Sequence, residues 1–197
     1  MLLYDNDLSG NCYKVRLLLT QREIEFERRP LSVTDRSDRE RVLGELNPGL
    51  RVPTVVLDDG RSLGESNAIL WYFARATPML PDEPFEQAQT LQWLCFEQYS
   101  HEPNVAVLRF WAHAGIERSE TELADKRRGA TAALTAMERH LRTREFFVAG
   151  HYTIADIALY AYTHVAPEGG FSLEPYPAVR EWLARVAAQP RHIPITA

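Results

Sequence analysis

The stretch RVPTVVLDDGRSLGESNAI, residues 51–69, decides how this chain folds. Val52, Val55, Val56 and Leu57 are strand formers, Asp58-Asp59-Gly60-Arg61 reads as a tight turn, and Ser62-Leu63 begins a return strand. That is a hairpin. Gly64-Glu65-Ser66 ends it, and residues 67–76 have the composition of a helix, with Ser66 at its N-cap or in its first turn. An acidic residue three positions on would complete a capping box, but Ile69 stands there. The Ser66 hydroxyl and the first-turn N–H groups are left for another acceptor, as an anion site at a helix start requires. Pro53 precedes the strand, where it marks an edge or holds a cis turn.

Toward the N-terminus, residues 1–4 read as a buried strand and residues 5–10 as a polar loop. From Asn11, the positions Cys12, Val15, Leu18 and Leu19 recur at helical spacing to about Arg22. Residues 24–31 form a second strand, parallel to the first because a helix intervenes. Residues 34–46 make a charged surface helix that Asn47-Pro48-Gly49 stops. The order β-α-β-α-β-β-α is a thioredoxin-like layout covering residues 1–76.

Toward the C-terminus, the run ATPMLPDEPF carries three prolines and no periodicity, which makes residues 77–85 a linker. Residues 86–197 then read as an all-α domain. Its helices fall at about 85–115 (one helix or two, since Pro103 kinks or breaks it), 121–143, 153–165 and 178–188. Thr153-Ile-Ala-Asp156 is a capping box, flanked by Tyr152 and Ile157 as a hydrophobic staple. The expected fold class is therefore α/β plus all-α.

The formal net charge of -5 and pI near 5.7 argue against nucleic acid or an acidic membrane as a partner. Two cysteines, Cys12 and Cys95, cannot build a disulfide framework, which fits a reducing compartment. The start MLLYDNDLSG lacks the charged and apolar regions of a signal peptide, and no apolar run approaches the roughly 20 residues that span a bilayer. A cytoplasmic protein is expected. The histidines form no H-x3-H or H-E-x-x-H pair, so no metal site is expected.

V-P before a strand, the hairpin, and E-S-x-A-I opening a helix together resemble the glutathione-binding half of the cytosolic glutathione transferases. Gly150-x-x-Thr153-x-Ala-Asp156 resembles the N-capping motif of that family's all-α domain, whose role is folding. The resemblance implies the two-domain transferase fold, with Pro53 as a cis-proline and the Val52 backbone paired with the cysteinyl part of glutathione. It implies Glu65 on the γ-glutamyl ammonium, Ser66 on its carboxylate, and Arg51 facing the glycine carboxylate. Arg39 is a possible further contact that no motif fixes.

Chemistry on glutathione needs a thiolate, and a free thiol has a pKa of about 8.5, so a donor near the first helix start is required. The loop Leu8-Ser9-Gly10-Asn11-Cys12-Tyr13 resembles the serine-type (theta- and zeta-like) classes, in which Ser9 would donate to the sulfur. Asn11 is a second candidate, since some bacterial relatives use an asparagine there. Cys12 falls in the apolar helical series and reads as core; if it were reactive, the chain would resemble the cysteine-type members.

The second substrate would lie against the first long helix, with Tyr99, Phe110, Trp111 and Tyr162 as candidate walls. His101, beside Glu102 and Pro103, reads as neither a metal ligand nor a base. The implied function is conjugation of glutathione, as co-substrate, to a small hydrophobic electrophile in detoxification, by a homodimer. The alternatives are a glutathione-dependent disulfide or peroxide reductase, or a non-catalytic binding protein on the same fold.

Overall fold

The computed structural model describes all 197 residues, Met1–Ala197. They divide into two compact units, one of Met1–Arg75 with Pro190–Ala197 and one of Ala76–Gln189.

The first unit is built on a four-stranded sheet of order β2-β1-β3-β4. The strands are β1 (Leu2–Asp5), β2 (Glu27–Pro30), β3 (Thr54–Val56) and β4 (Ser62–Leu63). β1 is central, parallel to β2 with Leu2 opposite Glu27, and antiparallel to β3 with Tyr4 opposite Thr54. β2 is exposed along its length, and its glutamate and arginines suit an edge that must not pair further. Alternation along β1 places Leu3 on one face with Val15, Leu19, Val55 and Ile69, and Tyr4 on the other with Leu31 and Leu43.

The first face is covered by α1 (Gly10–Gln21) and α3 (Ser66–Ala74), the second by the short α2 (Arg39–Leu43). A helix over 34–46 is expected from the sequence, and only its middle forms. The Ser32 hydroxyl takes up the N–H groups of Thr34 and Asp35, and a local turn competes there with the helix.

The tail 190–197 belongs to this first unit, although the sequence places it with the all-α domain. The buried Tyr13 hydroxyl donates to Ile193 O at 2.7 Å, and buried Arg16 donates to Ile195 O and to Asp5 Oδ1, the latter at 2.7 Å. Buried donors need acceptors, and an extended tail offers main-chain carbonyls without needing any sequence period of its own.

The second unit is all helical: α4 (Pro84–Phe96), a π-helical turn (Glu97–His101), α5 (Glu102–His113), α6 (Glu120–Leu141), α7 (Ile154–Thr163), a 3-10 turn (Ala166–Gly169) and α8 (Pro177–Ala187). The kink or break expected at Pro103 is realised as the π turn. Proline has no N–H for the preceding turn and its ring crowds it. The helix widens, the Glu102 N–H reaches back to Glu97 O, and Asn104 Nδ2 donates to Ser100 O at 2.7 Å.

Every residue of α7 is buried, which marks it as the central helix of the unit. Its start is fixed by the expected box. Asp156 Oδ2 accepts from Thr153 N at 2.9 Å and from the Thr153 hydroxyl at 3.0 Å. Asp156 Oδ1 accepts from Phe147 N at 3.1 Å and Trp182 Nε1 at 2.9 Å, so one carboxylate joins α7 to α8 and to the loop before it. No helix is long and apolar enough to cross a membrane.

Candidate functional site

The site residues named from sequence in the first unit come from the β1–α1 loop, the approach to β3, and the start of α3. Ser9 is the N-cap of α1, its Oγ accepting from Cys12 N at 3.2 Å. A capping hydroxyl uses its oxygen and keeps its hydrogen, so Ser9 still has a proton to donate. Cys12 is fully buried; burial, with the Asp5 carboxylate next, pushes its thiol far above the ordinary range. A thiol so placed is core, as its place in the apolar series indicates.

The Val52–Pro53 bond is cis. Asn47 shapes the approach to it: its Nδ2 donates to Arg51 O at 3.1 Å and Thr54 Oγ1 at 2.9 Å, and its Oδ1 accepts from Gly49 N at 2.9 Å. Gly64 lies against the same amide, and a Cβ there would stand 2.7 Å from Asn47 Nδ2. Val52 precedes the ladder, which begins at Thr54, so its main chain is not committed to the sheet. The Arg51 side chain is exposed.

Glu65, also exposed, holds φ 63°, a left-handed conformation that costs a non-glycine residue of order 1–3 kcal/mol and clusters at functional sites. Ser66 follows as the first residue of α3, nearly fully buried; no side chain caps this helix and its first turn has no acid.

Sequence reasoning missed one member of this group. Lys14 is fully buried on α1, and its Nζ donates to Asn11 Oδ1 at 2.7 Å and to Ser66 Oγ at 3.4 Å. The Ser66 hydroxyl in turn donates to Asn11 Oδ1 at 3.1 Å. Asn11 and Ser66, predicted separately, are thus joined through a buried ammonium. The available signal was a lysine inside the apolar series Cys12, Val15, Leu18, one of only two lysines in the chain. Arg39 is a further buried cation: it donates to Ser32 O, while its Nε and Nη1 have no partner.

In the second unit the four aromatic candidates separate. Tyr99 is 87 % exposed on the π turn and Phe110 is exposed on α5. Trp111 packs against a core cluster of Val105, Leu108, Ala130 and Tyr162 and carries the Arg118 guanidinium 4.9 Å above its ring. Tyr162 is buried in that cluster. His101 is fully buried, with Nε2 2.9 Å from Thr163 Oγ1. No group of three or more His, Cys, Asp or Glu side chains is arranged to hold a metal ion.

Residues 8–76 match the model of the glutathione S-transferase N-terminal domain, and residues 78–190 that of the glutathione S-transferase C-terminal domain. The chain belongs to the glutathione S-transferase family. The structure is similar to a crystal structure of a glutathione S-transferase from Pseudomonas fluorescens, at 42% identity and a TM-score of 0.94, covering 100% of this chain and 98% of that one. A glutathione S-transferase of Anopheles gambiae is 32% identical over 189 residues, covering 93% of this chain and 84% of its own length. The disulfide-bond oxidoreductase YfcG of Escherichia coli is 26% identical over 194 residues, covering 91% and 87%. The architecture is accordingly the glutathione S-transferase fold, a thioredoxin-like β-α-β-α-β-β-α domain followed by helices.

Proposed function

We propose that this family member binds glutathione in its first unit and transfers the thiolate to a small hydrophobic electrophile. The observation that carries the reading is the cluster at the start of α3, where a helix N-terminus without an acidic cap stands beside buried Ser66 and the Lys14 ammonium. Partial positive charge from the helix and full charge from the lysine favour a carboxylate at Ser66. Exposed Glu65, held at an unusual φ next to it, offers the complementary charge for the γ-glutamyl ammonium.

The main chain of Val52, before cis Pro53, pairs with the cysteinyl segment. Arg51 and the two unpartnered donors of buried Arg39 serve the glycine carboxylate, since a buried guanidinium without acceptors favours an anionic ligand.

Two donors at the start of α1, the Ser9 hydroxyl hydrogen and the Asn11 amide, stabilise the thiolate. The first fits the serine-type classes. The exposed aromatics Tyr99 and Phe110, with Trp111 and the buried Tyr162 behind, serve the electrophile. Leu91, Cys95 and Tyr99 recur every fourth residue on one exposed face, and that stripe is the surface for a homodimer. The absence of any membrane-crossing helix and the paucity of cysteines agree with a cytoplasmic protein acting in detoxification, with no nucleic-acid or membrane partner and no metal.

A second reading, glutathione-dependent disulfide reduction, is favoured by Asn11 beside Ser9 and by the named activity of the Escherichia coli relative. The test is a panel of halide, epoxide, disulfide and peroxide substrates with glutathione. Turnover of halides or epoxides supports transfer, turnover of disulfides alone supports reduction, and failure to retain the protein on immobilised glutathione rejects both.

A further inference from the structure

A buried ammonium costs several kcal/mol unless hydrogen bonds and charge compensate it. Lys14 stands fully buried at a position where α1 otherwise turns apolar residues inward. Its nearest acceptor is Asn11 Oδ1 at 2.7 Å, and the same oxygen accepts from the Ser66 hydroxyl at 3.1 Å. The two ends of an asparagine amide are nearly equal in size, so hydrogen bonding alone decides which way it faces. Lysine carries donors only. With Lys14 beneath it, the amide must turn its oxygen inward and its nitrogen, with two donors, the other way. Asn11 is half-buried where Lys14 is fully buried, so the nitrogen end is the end turned toward solvent.

We propose that Lys14 is a positioning residue that locks the Asn11 amide with its nitrogen presented to the sulfur of bound glutathione. The inference rests on the glutathione reading given above. A cation on the amide oxygen also polarises the N–H bonds on the far side, which strengthens donation to an anion. Lys14 acts on the thiolate through Asn11 and touches no substrate atom.

The test uses the full chain with Lys14→Met, Asn11→Ala, their combination, and Asn11→Asp, which keeps an oxygen for Lys14 and Ser66 while removing the donor. Glutathione affinity is measured first. The ionisation of the bound thiol is then followed by thiolate absorbance, and kcat/KM is measured as a function of pH. Lys14→Met is expected to raise the apparent pKa of bound glutathione by about one unit and to lower kcat/KM below neutral pH by about tenfold, with affinity little changed. Asn11→Asp is expected to shift the profile at least as far.

In the Asn11→Ala background, Lys14→Met should add nothing, because a residue acting through another is silent once that other is gone. Additive losses, or an unmoved pH profile in Lys14→Met, overturn the proposal while leaving glutathione binding intact. If Lys14→Met does not fold, an unchanged thiol pKa in Asn11→Asp overturns it equally. Wild-type protein that binds no glutathione removes the underlying reading and the proposal with it.

Discussion

Replacing Asp156 with alanine removes the one acceptor that four buried donors share: Thr153 N, the Thr153 hydroxyl, Phe147 N and Trp182 Nε1. An ordinary N-terminal cap is worth about 0.5–2 kcal/mol. In this protein the hydroxyl can rotate to another acceptor, but three N–H groups are left in a fully buried environment. Each orphaned donor costs about 1–3 kcal/mol. Water entering the vacated space recovers part of that, so the expected loss is about 3–5 kcal/mol, well beyond a surface cap. For a chain of this length about 2–4 °C of Tm is lost per kcal/mol, which makes the shift about 10 °C. Urea unfolding followed by far-ultraviolet circular dichroism measures it, with Trp182→Phe, which removes one donor and keeps the carboxylate, expected to lose about 1 kcal/mol. An Asp156→Ala loss below about 1 kcal/mol would refute the claim that this carboxylate ties α7 to α8 and the preceding loop.

The same group sets a pH dependence. Burial pushes the Asp156 carboxyl up to about 6, above its ordinary value, so the fold binds this proton more tightly than the unfolded chain does. Its contribution to stability is therefore full below about pH 4 and is lost as pH rises through about 6, and Asp156→Asn should flatten that slope in unfolding measurements. Glu65→Ala with Ser66→Ala should abolish retention on immobilised glutathione while circular dichroism stays native; unchanged affinity rejects the γ-glutamyl assignment. Asn11→Ala is expected to raise the pKa of bound glutathione more than Ser9→Ala, by thiolate titration, and the reverse order returns the main donor role to Ser9. Leu91→Glu with Tyr99→Glu should convert a sedimenting dimer to a 22.5 kDa monomer, and wild-type protein that is already monomeric at micromolar concentration rejects the dimer.

The hairpin, the helix after it and the Thr153–Asp156 box are legible in the sequence because short-range chemistry sets them: a turn, a broken strand, a cap three residues from its partner. The cis bond before Pro53 and the buried Ser66 lie where the family resemblance puts them. Lys14 was illegible because its meaning lies in Ser66, 52 positions away in sequence, and in an asparagine amide whose facing no pattern records. Arg39 sits in a stretch so charged that one more arginine carried no signal, and only its buried, unpartnered nitrogens set it apart. The tail escaped for the opposite reason. It contributes main-chain carbonyls to Tyr13 and Arg16, and any sequence has those.

The π turn at Glu97–His101 has a consequence for how the chain tolerates length change. Each helical residue advances the side chains by about 100°, and a π turn holds one residue more than the α-helical turn it replaces. Excising one residue from this turn would restore an ordinary spiral and swing everything beyond it by about that angle. Val105, Leu108 and Arg109, which α5 buries, would leave the interior, and exposed Phe110 would rotate toward it. The turn therefore works as a phase shifter: a single deletion in it should unseat α5 as a whole, whereas one in the exposed approach to α6 at residues 115–118 only shortens a loop.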